Sequence, residues 1–231
     1  LLANWLDHSM IRNTVAFDIA QAVEYAWRQS GGAIGDGIPW SVHGQNVELV
    51  FFDSNGIGHH VGNYYLCEQI KIDENRLNIR DSYEDVLSTN IADCGYLLEF
   101  DSKEDDDTKY TTSNGLWVKF KDDAIKGTTL YTAVSQKIQS IENYLDAGNY
   151  TEAYKMLDIN SLVDQFLIWE LTMNREYGDP GSVYMYMNGD DKLCAGPVWD
   201  FDRGTFQNQD KATSLGNSTS YRVKPDNEWM F

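Results

Sequence analysis

The chain has 231 residues, of which 42% are hydrophobic, so it can fill the core of one large domain or two small ones. Its 18 basic and 36 acidic residues give a formal charge of −18. An acid surplus of this size repels phosphate backbones and anionic membranes, which argues against sequence-independent nucleic-acid binding. No apolar run is long enough to predict a transmembrane segment.

The chain begins without Met or a basic leader region and ends on Trp-Met-Phe. We therefore expect a single domain over residues 1–231 that is cut at one or both ends, with any export signal upstream. The first predicted element is a helix from Met10 to Trp27, because apolar residues recur there at helical spacing. Asp7 and Ser9 are its candidate N-caps.

Four strands are predicted in the first half of the chain. Alternating apolar residues over 47–51 and a strand over 61–70 flank an Asp-Ser-Asn-Gly turn, which is typical of a hairpin. Residues 95–100 and 116–121 form the other two. The acidic run that ends at residue 107 lies between them and is interpreted as a solvated loop.

Two lysines on the last of these strands are candidate ligands for phosphate. Lys119 and Lys121 share one face of the strand, opposite Val118 and Phe120. In so acidic a chain they either contact phosphates or form a solvated, edge-protecting face.

Helices dominate the second half. They centre on residues 138–145, 150–157 and 162–173. The third is apolar on nearly all sides, so we expect it to be buried. A polar loop over 174–181 follows, and strands over 182–187 and 192–198 then form a hairpin with an Asn-Gly turn.

This order of elements predicts an α+β fold. Residues 1–130 form the strand-rich part, and residues 131–231 form the helix-rich part with its late hairpin. The order of helix, polar loop, hairpin and paired acids is also the order around the catalytic loop of protein kinases.

An acidic pair follows the late hairpin, in the stretch Gly-Pro-Val-Trp-Asp-Phe-Asp over residues 196–202. In an extended segment Asp200 and Asp202 point to one side, and Trp199 and Phe201 point to the other side, into a core. Two carboxylates aimed at one point repel unless a cation or a shared proton lies between them. Mg²⁺ is commonly held by one or two carboxylates together with substrate phosphates. The alternative is a loop with two solvated acids.

Three other chemistries have weaker patterns. A zinc site at His59 and His60 lacks a third ligand at motif spacing. A glycosidase would need Glu176 to face Asp200 across a sugar-sized cleft. The three cysteines, Cys67, Cys94 and Cys194, are expected as buried thiols, with one disulfide left open.

With these residues assembled, the chain resembles the CotH family, named after spore coat protein H, whose members are atypical kinases. Residues 7–13 look like the family's "D-x-S-x-x-R-N" segment, and residues 62–68 are similar to its "G-x-Y-x-L-x-E" strand. Residues 196–202 match its "G-P-x-W-D-F-D" signature, which is the most specific of the three.

The resemblance implies a kinase-like fold that binds ATP with Mg²⁺ or Mn²⁺ and phosphorylates Ser or Thr of a protein substrate. Asp200 and Asp202 would hold the metal. A secreted, cell-surface or coat-associated bacterial protein is implied as well. The loop from Asn174 to Glu176 would correspond to the family's catalytic "N-x-D" loop, with Glu176 in place of the aspartate and Asp179 able to compensate.

A second departure from the family pattern lies at Glu99, where many members carry a lysine for the nucleotide phosphates. Lys119 or Lys121 could replace that cation, with Glu68 as an ion-pair partner. The departures at Glu99 and Glu176 also support an alternative: a catalytically silent domain that keeps the fold to bind a protein or glycan partner.

Overall fold

The computed structural model of the protein describes residues 1–4, 6–101, 108–174, 181–202 and 205–206. The strands are β1 (Leu2–Ala3), β2 (Gly44–Phe52), β3 (Gly58–Cys67), β4 (Gly95–Phe100), β5 (Lys109–Thr111), β6 (Trp117–Phe120), β7 (Val183–Asn188) and β8 (Cys194–Ala195). The α-helices are α1 (Arg12–Gln29), α2 (Tyr83–Val86), α3 (Thr129–Asp146), α4 (Tyr150–Met156) and α5 (Ile159–Thr172).

Two antiparallel sheets organise these elements. The smaller has the order β1-β3-β2, and the larger has the order β5-β6-β4-β7-β8. All six residues of β4 are buried, because the strand lies in the middle of the larger sheet. Sheets and helices in separate runs of the chain confirm the predicted α+β class.

The first predicted hairpin is present as a long ribbon of β2 and β3. Asp53 closes its turn, since one carboxylate oxygen accepts the amides of Asn55 and Ile57 at 2.9 Å each. The pairing register shifts between Leu49 and Val50. Most of the ribbon's side chains are exposed, so it protrudes from the core.

Helix α1 begins two residues later than predicted, at Arg12, and its cap is formed differently. The N-cap residue, Ile11, makes no side-chain capping bond. The buried carboxylate of Asp7 instead accepts the Arg12 amide at 2.7 Å, and its other oxygen accepts the amide of Ser9. A carboxylate five residues before the helix therefore satisfies one of its first amides.

The late hairpin is present, but its second strand is shorter than predicted. β7 pairs with β8 only at Met185 with Ala195 and at Tyr186 with Cys194. Residues 196–201 leave the sheet without strand pairing. The chain therefore turns away from the sheet before it reaches the acidic pair.

The prediction that the last helix is buried on nearly all sides is wrong for α5. One stripe of the helix is exposed at intervals of four residues: Ile159, Val163, Leu167 and Leu171 are 36–59% exposed. The opposite side carries Ile168 and Trp169, which are fully buried. Helix α5 is thus apolar all round but covered on one side only in the described part of the chain.

One hydrophobic cluster joins both halves of the chain. It includes Phe17 of α1, Leu98 of β4, Val134 of α3 and Trp169 of α5, and it extends to Phe201 beside the acidic pair. The acidic pair is therefore attached to the main core. None of the helices in the described ranges is long and apolar enough to cross a membrane.

Candidate functional site

The topology brings the acidic pair to one end of the larger sheet. β8 runs antiparallel to β7 and therefore in the same direction as β4. The chain leaves β8 towards the end where β4 finishes and β7 starts. The first bond beyond β8 joins the Gly196 amide to the Tyr184 carbonyl at 2.9 Å, one residue from the start of β7.

Three side chains from distant parts of the chain hold the backbone of the acidic segment, which we define as residues 199–202. The Asn174 amide donates to the Asp200 carbonyl at 3.2 Å. The Asn13 side-chain oxygen accepts the Phe201 amide at 3.2 Å, and the Arg12 guanidinium donates to the Asp202 carbonyl at 2.8 Å. The end of α5 and the start of α1 thus fix three successive residues by their main chain.

The acidic segment is not the extended strand that the sequence predicted. Asp200 has φ near +61°, in the left-handed region that non-glycine residues rarely adopt. Strict alternation of side chains along the segment therefore does not hold. The predicted inward side chain of Phe201 is confirmed, because it is fully buried, while Trp199, Asp200 and Asp202 are partly exposed.

Aromatic packing supports the segment from below. The ring of Phe17 meets the ring of Phe201 edge-on at 5.3 Å and the ring of Trp199 at 5.9 Å. On its other side Phe17 stacks on Tyr65 of β3 at 5.7 Å. Offset and edge-on aromatic pairs stabilise a fold by more than their buried area alone, so these ring contacts help to hold the acidic segment in place.

Arg12 contacts the acidic segment without neutralising its carboxylates through the contacts described. Its guanidinium pairs with the Asp7 carboxylate at 3.4 Å and meets Asp202 at the carbonyl oxygen. The Asp202 carboxylate has no hydrogen bond or ion pair to any described residue. A partly exposed carboxylate without a counterion among the described residues is suited to bind a cation.

The charge of Asp7 is itself stabilised by its contacts. Burial opposes ionisation of this carboxyl, but hydrogen bonds from Ser9 and from the Arg12 amide, together with the charge of Arg12, hold its pKa below the usual 3.8. Asp7 therefore stays ionised and keeps Arg12 at the start of α1, where the guanidinium reaches the acidic segment.

The donor set here fits a metal that keeps substrate or water ligands. Within the described ranges there is no group of three or more His, Cys, Asp or Glu side chains that could enclose an ion. Mg²⁺ takes one or two carboxylates and completes its shell with phosphates and water, so Asp200 and Asp202 would suffice as its protein ligands. A zinc or calcium cage needs more protein ligands.

A second charged group lies at the ends of β4 and β6 and consists of Glu99, Asp101, Lys119 and Lys121. Lys119 donates to Asp101 at 2.8 Å, and Lys121 donates to Glu99 at 2.8 Å. Glu99 and Asp101 are 7% and 6% exposed, and Lys119 is 1% exposed. Two lysines and two carboxylates therefore balance one another in a largely buried setting, which reduces the cost of burying each charge.

The predicted lysine face of this strand is partly corrected. β6 lies between β5 and β4, so it is not an edge strand, and the edge-protecting interpretation is wrong. Lys119 is buried rather than solvated, whereas the side chain of Lys121 is 30% exposed. Glu68 does not pair with either lysine. Its carboxylate accepts a hydrogen bond from the backbone amide of His43 at 3.0 Å and lies 3.1 Å from the imidazole of the same residue.

The two charged groups lie towards the same end of the sheet. Glu99 is paired in register with Tyr184, whose carbonyl binds the Gly196 amide ahead of the acidic segment. Asn174, at the end of α5, is fully buried and binds the segment directly. Glu176 and Asp179, the predicted base and its substitute, lie outside the described residues.

The remaining candidates separate in space. His59 contacts Asp53 at 3.3 Å, and His60 contacts Glu48 at 2.6 Å, so the two imidazoles meet different carboxylates on the ribbon. All three cysteines are free thiols, with Cys94 and Cys194 buried and Cys67 partly exposed. The expected buried thiols are therefore confirmed for two of the three.

Sequence reasoning missed the positioning roles of Arg12 and Asn13. Both belong to the segment at residues 7–13 that carried a family resemblance, and the acidic segment carried another. Residues 7–13 and 196–202 both carry the family resemblance, so they are candidates for contact in the fold although they lie about 190 positions apart. The specific bonds, to backbone atoms of Phe201 and Asp202, follow only from the tertiary structure.

Comparison with known proteins gives one match. The family model described as CotH kinase protein matches residues 1–231, which is the whole chain. No curated protein and no solved structure matches.

Proposed function

Because the chain belongs to the CotH family over its whole length, we propose that it is an atypical protein kinase domain. It binds ATP with Mg²⁺ or Mn²⁺ and transfers the γ-phosphoryl group to Ser or Thr of a protein substrate. The observation that carries the proposal is the acidic segment, whose main chain is fixed at three successive residues while its two carboxylates remain partly exposed.

Asp200 and Asp202 are the proposed metal ligands. The bound metal would neutralise the charge of the nucleotide phosphates, which an acidic protein of net charge −18 would otherwise repel. Asn174 serves as a positioning residue in this proposal, since its side chain holds the carbonyl of Asp200. Arg12 and Asn13 do the same for the next two residues of the segment.

The proposed chemistry needs one base. The acceptor hydroxyl oxygen attacks the γ-phosphorus, the bond to the oxygen bridging the β- and γ-phosphorus breaks, and ADP leaves with the electron pair. The hydroxyl proton passes to a carboxylate, for which Glu176 is the first candidate and Asp179 the second. Both follow Asn174 within five residues of the sequence, and Asn174 binds the acidic segment.

Lys121 is the better of the two phosphate candidates. It is 30% exposed at its side chain, and Lys119 is 1% exposed. To bind a phosphate, Lys121 would share its ammonium group between that phosphate and Glu99. A partly exposed ammonium can do so at a lower cost than the buried Lys119.

The proposal extends to organisation and location. We treat residues 1–231 as one kinase-like domain, with the nucleotide between the part before residue 130 and the part after it. Coat proteins are found in this family, and an extracytoplasmic coat or surface location fits the acidic, metal-dependent chain that we propose.

A second candidate function is a catalytically silent domain that binds a protein or glycan partner. One observation favours it: both lysines that could replace the family's phosphate-binding cation already pair with carboxylates, Asp101 and Glu99. A cation that is neutralised by the protein itself attracts a triphosphate less strongly.

Thermal unfolding separates the two candidates. We expect ATP with Mn²⁺ to raise the melting temperature of the 231-residue chain, because a ligand that binds only the folded state stabilises it. Asp202→Asn keeps the side-chain size and should remove that rise while leaving the melting temperature without ligand nearly unchanged. The control Asp146→Asn, on the far end of α3, should keep the full rise.

Catalysis requires its own measurement. Radiolabelled phosphate from [γ-³²P]ATP should appear on the protein itself or on an added protein acceptor, and Asp202→Ala should abolish this transfer. An ATP-dependent rise in melting temperature without transfer would support a nucleotide-binding but silent domain. No rise for the intact chain under any divalent metal would contradict the kinase proposal.

A further inference from the structure

A groove between β5 and α3 takes no part in the proposed function. Its volume is about 510 Å³, and it is lined by two tyrosines, two glutamines and three hydroxyl residues: Tyr110, Tyr131, Thr132, Ser135, Gln136, Gln139 and Ser140. None of these residues belongs to the acidic segment or to the lysine pairs. The volume lies in the range typical of small-molecule sites.

The groove has no charged residue in its lining, which is unusual for this chain. Asp, Glu, Lys and Arg make up 23% of the sequence, and a second groove of about 490 Å³ at the β7–β8 turn is lined almost entirely by charged side chains. An uncharged lining of amides, hydroxyls and phenols offers hydrogen bonds in both directions without attracting ions. Such a lining selects a neutral ligand with many hydroxyl groups.

The two tyrosine rings are held in place before any ligand arrives. The Tyr110 hydroxyl donates to the side-chain oxygen of Gln139 at 2.7 Å, and the Tyr131 hydroxyl donates to the Lys109 carbonyl at 2.7 Å. The ring of Tyr131 also packs on Phe120 at 5.0 Å. Fixed aromatic rings provide apolar contact area at little cost in conformational entropy.

Burial raises the pKa of Tyr110, with a further contribution from the charge of Glu142. Its phenol therefore remains protonated through the physiological range. The groove accordingly keeps its neutral character as pH changes.

One polar atom of the groove is buried and makes no hydrogen bond to a described residue. Ser135 is 5% exposed, and its hydroxyl oxygen is buried with no hydrogen-bond partner among the described residues. A buried hydroxyl that is left unpaired destabilises a protein, so such an atom calls for an explanation. Gln136, the next residue of α3, is exposed at the rim and presents an amide.

We propose that the groove between β5 and α3 is a binding site for a neutral saccharide. A sugar's apolar ring face would lie against Tyr110 or Tyr131, and its hydroxyl groups would bond to Ser135 and Gln136. The groove shares no lining residue with the acidic segment or the two lysine–carboxylate pairs. The inference stands whether or not the kinase proposal does, because it rests on different residues.

The test uses the 231-residue chain and defined neutral oligosaccharides: cellohexaose, xylohexaose, mannohexaose and chitohexaose. Isothermal titration calorimetry should detect at least one of them, and polygalacturonate and heparin, which are anionic, should not bind. Ser135→Ala and Gln136→Ala should each weaken binding about three- to tenfold, as expected for the loss of one hydrogen bond.

Ser135→Ala also distinguishes a ligand role from a structural one. Removal of an unpaired buried hydroxyl should leave the melting temperature without sugar equal or higher, while sugar binding falls. The control Lys155→Ala alters the charged groove and should leave sugar binding unchanged. The proposal is overturned if no oligosaccharide of the panel binds at 10 mM, if both groove variants bind as well as the parent, or if only an anionic glycan or a peptide binds.

Discussion

The acidic segment differs from the lysine–carboxylate group, which consists of Glu99, Asp101, Lys119 and Lys121, in what its side chains bind. In the acidic segment, the side chains of Arg12, Asn13 and Asn174 bind the main chain of residues 200–202, and the two carboxylates are partly exposed. At the ends of β4 and β6, the side chains of Glu99, Asp101, Lys119 and Lys121 form ion pairs, and three of the four are less than 10% exposed. In the first arrangement, polar side chains bind the backbone; in the second, charged side chains bind one another.

This difference shows which charged residues are suited to chemistry. The backbone contacts of the acidic segment do not use the carboxylate of Asp202, whereas each lysine at β6 is bonded to a buried carboxylate. The comparison predicts that stability depends on the lysine group and that cation binding depends on the acidic segment.

The largest effect should follow from Lys119→Met, which removes the 2.8 Å ion pair between a buried ammonium and the buried carboxylate of Asp101. We expect a loss of about 3–5 kcal/mol in the free energy of unfolding, measured by urea denaturation. The control Lys155→Met breaks the exposed pair with Glu152 and should cost less than about 1 kcal/mol. Equal losses for the two variants would contradict a structural role for Lys119.

Asn13→Ala should come next, because it leaves the buried Phe201 amide without its acceptor. The expected loss is about 1–3 kcal/mol, together with a smaller ATP-dependent rise in melting temperature. Asn143→Ala, at an exposed position of α3, matches the change in helix propensity and should shift the unfolding free energy by no more than about 0.5 kcal/mol. If the two variants behave alike, Asn13 does not position the segment.

A pH-dependent effect should arise from Asp7. Its pKa is lower in the folded state than its usual 3.8, so the unfolded chain binds more protons between the folded pKa and 3.8. The stability contributed by Asp7, about 1 kcal/mol for a helix-capping carboxylate, is complete above 3.8 and is lost as pH falls through the folded pKa. Urea denaturation of the parent and of Asp7→Asn from pH 7 to pH 3 should therefore show converging curves. Parallel curves would argue against this linkage.

Lys121→Met should cost less stability than Lys119→Met. The Lys121 side chain is 30% exposed, so solvent weakens its pair, but Glu99 is only 7% exposed and loses this counterion; we expect about 1–2 kcal/mol in urea denaturation. The ATP-dependent rise in melting temperature should nevertheless decrease if Lys121 contacts phosphate. An unchanged rise would remove Lys121 from the nucleotide site and leave its pair with Glu99 as a structural contact.

Several elements could be predicted because their signals are local. The hairpin of β2 and β3, the strand over residues 95–100 and the helices around Ile138 and Tyr150 follow from periodicity and turn residues, and all are present. The α+β class follows from their order. Boundaries were less accurate at β8, whose pairing covers two residues of the seven predicted, because only partner strands decide where a ladder ends.

The burial of Lys119 and the exposure of one side of α5 could not be predicted. A lysine that alternates with apolar residues normally marks the solvent side of a strand, but here β6 is an inner strand of the sheet and Asp101 supplies a counterion. Helix α5 is apolar on all sides, and its sequence cannot indicate which side the rest of the described chain covers.

The sequence by itself determined the family, the α+β class and the presence of paired acids after a hairpin, because these depend on short motifs and on periodicity along the chain. The tertiary structure decided how the acids are held. Asp200 adopts a left-handed backbone, and side chains from α1 and from the end of α5 bind the carbonyl and amide groups beside it. Such contacts join residues up to 190 positions apart, so only the folded packing of α1 against the segment could establish them.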